Sequence, residues 1–222
     1  GELQQKLGQS DRAEASFRSA MATDPACFRY PGATALLLSR RGRPNEALQV
    51  LLEAIPGVSE SLELWRLGAR ITLEAPGMEA FCVEWCRDAV QNHPDDGRLF
   101  EFQIAALLQA GSTREANEIL RGRSAPLSPA ALGGWVFAGV CEREPALPSL
   151  TPSQQREVIL SLVEILRRLE TRGQSSRVQV FRRNIAAYAG SLPGIAEAFA
   201  EDPAIPGNPA GESGSPTRSV GA

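Results

Sequence analysis

Two cysteines four residues apart, Cys82 and Cys86, share one face of any helix that contains them, a spacing that suits a metal pair or a redox pair. No further Cys or His stands at ligand spacing: Cys27 and Cys141 are remote, and His93 is the only histidine. The pair reads better as buried thiols in a reducing compartment, which points to a cytoplasmic protein without a metal or cofactor. His93 lies in Asn92-His93-Pro94, with no Ser, Cys or carboxylate constellation placed to use it as a base. Trp65 and Trp85 fall at helical spacing among leucines, where an indole is core rather than a ligand-stacking platform. No P-loop, dinucleotide fingerprint, nucleophile elbow or zinc helix is present, so no active site is expected in the chain.

Charge is concentrated in one place. Between residues 150 and 190, Arg156, Arg167, Arg168, Arg172, Arg177, Arg182 and Arg183 face only Glu157, Glu164 and Glu170. Such a segment is either a docking patch for an acidic partner or nucleic acid, or a solvated face; we read it as solvated. The chain as a whole has a net charge of −3 and a pI near 5.4, so nothing pulls it toward nucleic acid or an anionic membrane. No apolar run approaches the ~20 residues that span a bilayer. With 43% hydrophobic residues, the chain has enough apolar surface for a sizeable core.

The elements that position these residues repeat. Glycines 8, 42, 77 and 111 are 34, 35 and 34 residues apart. After Gly8 come Ala13, Phe17, Ala20 and Pro25, at steps of five, nine, twelve and seventeen. The same steps from Gly42 give Ala47, Leu51 and Ala54, with Pro56 early; from Gly77 they give Cys82, Cys86, Ala89 and Pro94. From Gly111 they give Ala116 and Leu120 before the pattern fades. Glycine ends one helix in the left-handed conformation, small residues let two helices cross closely, a bulky residue fills the gap between pairs, and proline stops the second helix. One such pair cannot bury its apolar face alone, so several must stack.

This pattern resembles the tetratricopeptide repeat (TPR) family over about residues 1–128. The resemblance implies an all-α fold, a right-handed superhelical α-solenoid of antiparallel helix pairs, acting as a protein–protein interaction scaffold or adaptor. The alternative is a regulatory or substrate-docking segment of a larger enzyme, as in bacterial glycosyltransferases and kinases with appended repeats. The family's first helices line a concave groove, with positions thirteen, ten and six before the turn glycine facing inward. Those positions are Arg29, Gly32 and Leu36 before Gly42, and Arg98, Glu101 and Ala105 before Gly111; in the third repeat an extra residue before Gly77 leaves either Arg66 and Arg70 or their neighbours facing inward. The family's carboxylate clamp needs Lys and Asn where Gly32 and Leu36 stand, so a chaperone-tail receptor is not expected. A groove with Arg29, Arg66, Arg70 and Arg98 among small and apolar positions suits an acidic, partly apolar protein or peptide.

Taken in order, Leu3 to Leu7 ends a first helix, and Ser10 or Asp11 caps a helix to Thr23. Helices are expected over 28–41, 45–55, from a cap at Ser59 or Ser61 through Ile71, over 78–91, 98–110 and 113–121 with Thr113 as a cap, and over 130–141. Thr151, Pro152 and Gln154 form a capping box that starts a long amphipathic helix to Thr171. Gly173 turns the chain into a return helix carrying Val178, Phe181, Ile185 and Tyr188, and a short helix through Ile195 and Phe199 lies over this hairpin. The chain thus divides into repeats (1–128), a C-terminal helical capping region (129–201) and a Pro/Gly/Ser-rich tail (202–222) whose composition does not order itself. Position 1 is Gly and only seven residues precede Gly8, so we read the chain as part of a longer protein.

Overall fold

The computed structural model describes residues 10–58 and 61–200. Over these residues the chain is all-α, with no strand. Its helices are α1 (Ser10–Thr23), α2 (Arg29–Arg40), α3 (Pro44–Ala54), α4 (Ser61–Glu74), α5 (Glu79–Asn92), α6 (Gly97–Ala110), α7 (Thr113–Gly122), α8 (Pro129–Glu142), α9 (Pro152–Thr171), α10 (Ser175–Ile185) and α11 (Pro193–Ala200). Short 3-10 turns, Ile55–Gly57 and Ala186–Tyr188, extend α3 and α10. The expected helix through Leu3–Leu7, Gly8, a cap at Ser59 and the tail lie outside the described residues.

Glycine punctuates these helices as its freedom at positive φ requires. Gly42, Gly77, Gly111 and Gly173 have φ of +73°, +77°, +84° and +72°. At Gly111 the amide of Ser112 reaches the Leu107 carbonyl at 2.9 Å while Gly111 itself reaches Leu108 at 3.2 Å, a Schellman closure that satisfies the last carbonyls of α6. The turn after α8 is closed in the same way, but by Arg143 at φ +56°.

Helix starts were less uniform. The box at Thr151 is formed: its hydroxyl accepts from the Gln154 amide at 3.3 Å, and the Gln154 side chain accepts from the Thr151 amide at 3.0 Å. Asp96 caps α6, accepting from the Leu99 amide at 2.8 Å. Thr113 does not cap α7. Ser112 occupies the cap position without a side-chain bond, and the Thr113 hydroxyl, at the first helical position, turns across to donate to Glu142 on α8.

Helices α2, α4, α6 and α8 pack each on the next, forming one layer, and α3, α5 and α7 sit against their chain neighbours outside it. The periodic slots fill the space between the layers. Ala13, Phe17, Ala47, Leu51, Cys82, Cys86, Ala116 and Leu120 are all buried, none more than 6% exposed. Two apolar clusters meet at α6: Leu99 and Ala106 join the core of α2–α5, and Phe100, Ile104 and Leu107 join that of α7–α11. In the second cluster Phe181 stacks on Phe137 at 5.4 Å between ring centres and meets Phe199 edge-on at 5.5 Å, locking α8, α10 and α11 together.

Candidate functional site

The inner layer presents one stripe of side chains per helix. On α2 it runs Arg29, Gly32, Leu36; on α4, Glu63, Arg66, Arg70; on α6, Arg98 and Phe102. Residues three and four apart share a helix face, so each stripe follows from the helical repeat. Together these residues line one cavity of about 370 Å³. Six of the eight candidate positions, Arg29, Gly32, Leu36, Arg66, Arg70 and Arg98, are therefore brought to one place. Glu101 and Ala105 are not among them. They line a second cavity of about 360 Å³ between α6, α8 and α9.

A third cavity, about 860 Å³, joins the two: it shares Arg70, Arg98 and Phe102 with the first and Gln109, Glu164 and Arg168 with the second. The result is a continuous trough along α2, α4 and α6, walled at its far end by α9. Phe28 and Phe102, which add aromatic surface to it, were missed as site residues. Phe102 lies four residues after Arg98 on the same helix face, and that spacing is a signal the sequence does carry.

The arginines of the trough differ in their partners. Arg66 donates to Glu63 at 2.7 Å and, more closely, to Asp96, the cap of α6. It therefore ties α4 to the start of α6. Donating to the Asp96 carboxylate raises the Arg66 pKa further. Burial works to raise the Asp96 carboxyl, but the Arg66 guanidinium and the Leu99 amide together hold it below its ordinary value. Arg29, Arg70 and Arg98 are exposed, and among the described residues none of the three has an ion-pair partner.

Most arginines of the basic hairpin are engaged within the fold. Arg172 donates to Glu79 at 3.0 Å and to the Leu73 carbonyl at the end of α4. Arg177 donates to the Leu108 carbonyl at 3.0 Å, and Gln174 to that of Gln109 at 2.7 Å, both in the last turn of α6. The Leu108 carbonyl, which also accepts from the Gly111 amide, gains a second donor there, and the guanidinium meets the negative end of the helix dipole. Arg167 and Arg168 both grip Glu164, at 2.9 and 2.7 Å, and hydrogen bonding from Arg167, then Arg168, holds its carboxyl at about 2. Reading this segment as a solvated face was incomplete: Arg172 and Arg177 staple the α9–α10 hairpin onto the helix ends of the repeats.

The other residues singled out by type have packing roles. Trp85 donates its indole N–H to the Trp65 carbonyl at 3.0 Å, and the two buried rings lie 5.0 Å apart. Cys82 and Cys86 are buried free thiols, and hydrogen bonding with Cys82, together with burial, pushes the Cys86 thiol well above the usual range. Among the described residues no group of His, Cys, Asp and Glu is arranged to hold a metal ion. His93 closes α5, its amide bonded to the Ala89 carbonyl at 3.0 Å.

Among the described residues the trough is lined by guanidinium, carboxylate, amide, hydroxyl and apolar groups, with neither a thiol nor an imidazole. It offers a ligand fork-shaped cations beside aromatic and aliphatic surface, a combination that recognises carboxylates next to apolar side chains. Among the described residues no helix is long and apolar enough to cross a membrane. Comparison with protein-family models, with curated proteins and with solved structures finds no match for this chain.

Proposed function

We propose that this chain is a protein-interaction scaffold of the tetratricopeptide type: a right-handed superhelical stack, capped by α9–α11, whose concave trough binds an acidic peptide or the acidic surface of a partner. One observation carries the reading. Three arginines from three successive inner helices, Arg29, Arg70 and Arg98, face one trough without a carboxylate of their own, beside Phe28, Leu36 and Phe102. Intramolecular pairing absorbs most other arginines of the described chain, as with Arg41, Arg43, Arg87 and Arg121. The glycine turns and buried packing slots at a period near 34 support the solenoid.

An exposed arginine–carboxylate pair contributes about 0.2–1 kcal/mol and is screened by salt, so the charges set register and the aromatic floor adds affinity. Reversing two of the three charges replaces attraction by repulsion, which corresponds to about tenfold or more in Kd. The test is fluorescence anisotropy of a labelled glutamate-rich peptide with wild type and with Arg29→Glu plus Arg98→Glu. We expect wild-type binding that weakens with salt and a variant that binds at least tenfold more weakly with its fold intact. Equal affinity and equal salt dependence would remove the trough from the account.

A further inference from the structure

The α9 end of the trough differs chemically from the arginine end. There α6 contributes Ile104, Ala105 and Leu108, and α9 contributes Leu160 and Ile165, around a cavity of about 360 Å³. Ile104 and Leu108 form a buried floor, whereas Leu160 stands 73% exposed at the lip. Val163, one turn further along α9, is half exposed as well. Gly134 on α8 lets the floor come close: a Cβ there would lie 2.7 Å from the Ile104 methyl. An isoleucine floor under a leucine lip, opening into a trough that carries the unpaired Arg70 and Arg98, is a place for one apolar side chain of whatever those arginines hold.

We infer that the partner segment is bipartite, with carboxylates over Arg70 and Arg98 and one aliphatic or aromatic side chain seated between Ala105 and Leu160. This rests on the acidic-ligand reading of the trough and adds to it a second subsite and a spacing. Arg98 and Ala105 lie on one face of α6, two turns apart, or about 10 Å at 1.5 Å per residue. An extended peptide advances about 3.3 Å per residue, so the apolar residue lies about three positions from the nearest acid. The unpaired cations select an acidic segment over a purely apolar one, and Glu101 beside the second cavity disfavours a further carboxylate there, while the Arg168 of the same lining is already paired with Glu164.

The experiment uses two labelled peptides of equal charge, each with a glutamate cluster, one carrying leucine three positions beyond it and the other serine. Anisotropy titration is expected to show the leucine peptide bound about tenfold tighter. That ratio should fall to about threefold or less in Leu160→Ser, and vanish in Ala105→Met, which fills the cavity from its wall; thermal melts check that both variants fold. Equal binding of the two peptides by wild type overturns the subsite while leaving the acidic trough standing. A leucine preference that survives both substitutions places the apolar contact elsewhere and also overturns it. Failure of wild type to bind either peptide removes the acidic-ligand reading and the subsite with it.

Discussion

Glu164 shows how an ion pair at the trough's edge can be tested by pH. Its carboxyl, ordinarily near 4.5, is held at about 2 by hydrogen bonding from Arg167 and then Arg168. A folded pKa below the unfolded one stabilises the fold above the unfolded value and loses that contribution as the folded carboxyl is protonated. The contribution is therefore complete above about pH 4.5 and lost between there and about pH 2. Because the Glu164 side chain is 43% exposed, solvent screening keeps it small. Urea midpoints of wild type and Glu164→Gln should differ at neutral pH and converge as the pH falls through that window. A gap that stays constant would mean the pairing does not couple to folding. Arg66 and Asp96 illustrate the other residue-scale outcome, in which a candidate ligand-binding cation is already spoken for by a helix cap.

Two glycines separate the demands made on the elements. Gly77 has φ +77° and open space where a side chain would stand, so only its backbone conformation requires glycine. Gly68, in the middle of α4, has an ordinary helical backbone, but a Cβ there would lie 2.0 Å from the Trp85 ring. Gly77→Ala should cost about 1–2 kcal/mol through the left-handed backbone. Gly68→Ala should cost about 3 kcal/mol by forcing apart α4 and α5. Trp85→Phe, which removes the offending ring edge, should relieve part of the Gly68→Ala cost and leave that of Gly77→Ala unchanged, as a double-mutant cycle in denaturant would show. Additivity in both cycles would refute the steric account of Gly68. The turn glycines, the box at Thr151 and the slots of Cys82 and Cys86 were legible in the sequence because each depends on residues within one or two turns. Thr113 was misread because its hydroxyl had a competing partner on α8, 29 residues away.

At the scale of the whole molecule, long-range contacts decided what the sequence alone left open. Its basic segment carried two readings, and the fold adds a third. Arg172 reaches Glu79 across 93 residues, and Arg177 reaches Leu108 across 69, so neither could be assigned a partner from local spacing. The groove positions on each inner helix came from the family resemblance, and six of the eight meet in one cavity; Glu101 and Ala105 line the second, against α9, which no local spacing places. Whether Arg29, Arg70 and Arg98 hold an acidic segment can be read at their own side chains. Nuclear magnetic resonance of the arginine Nε–H groups during titration with a glutamate-rich peptide reads each guanidinium separately. The Nε–H signals of Arg29, Arg70 and Arg98 should move together along one saturating curve, while those of Arg87 and Arg121, paired with Glu115 and Glu144 away from the trough, stay in place. Shifts confined to Arg87 and Arg121, or no shift at the trough arginines at saturating peptide, would contradict an acidic segment held there.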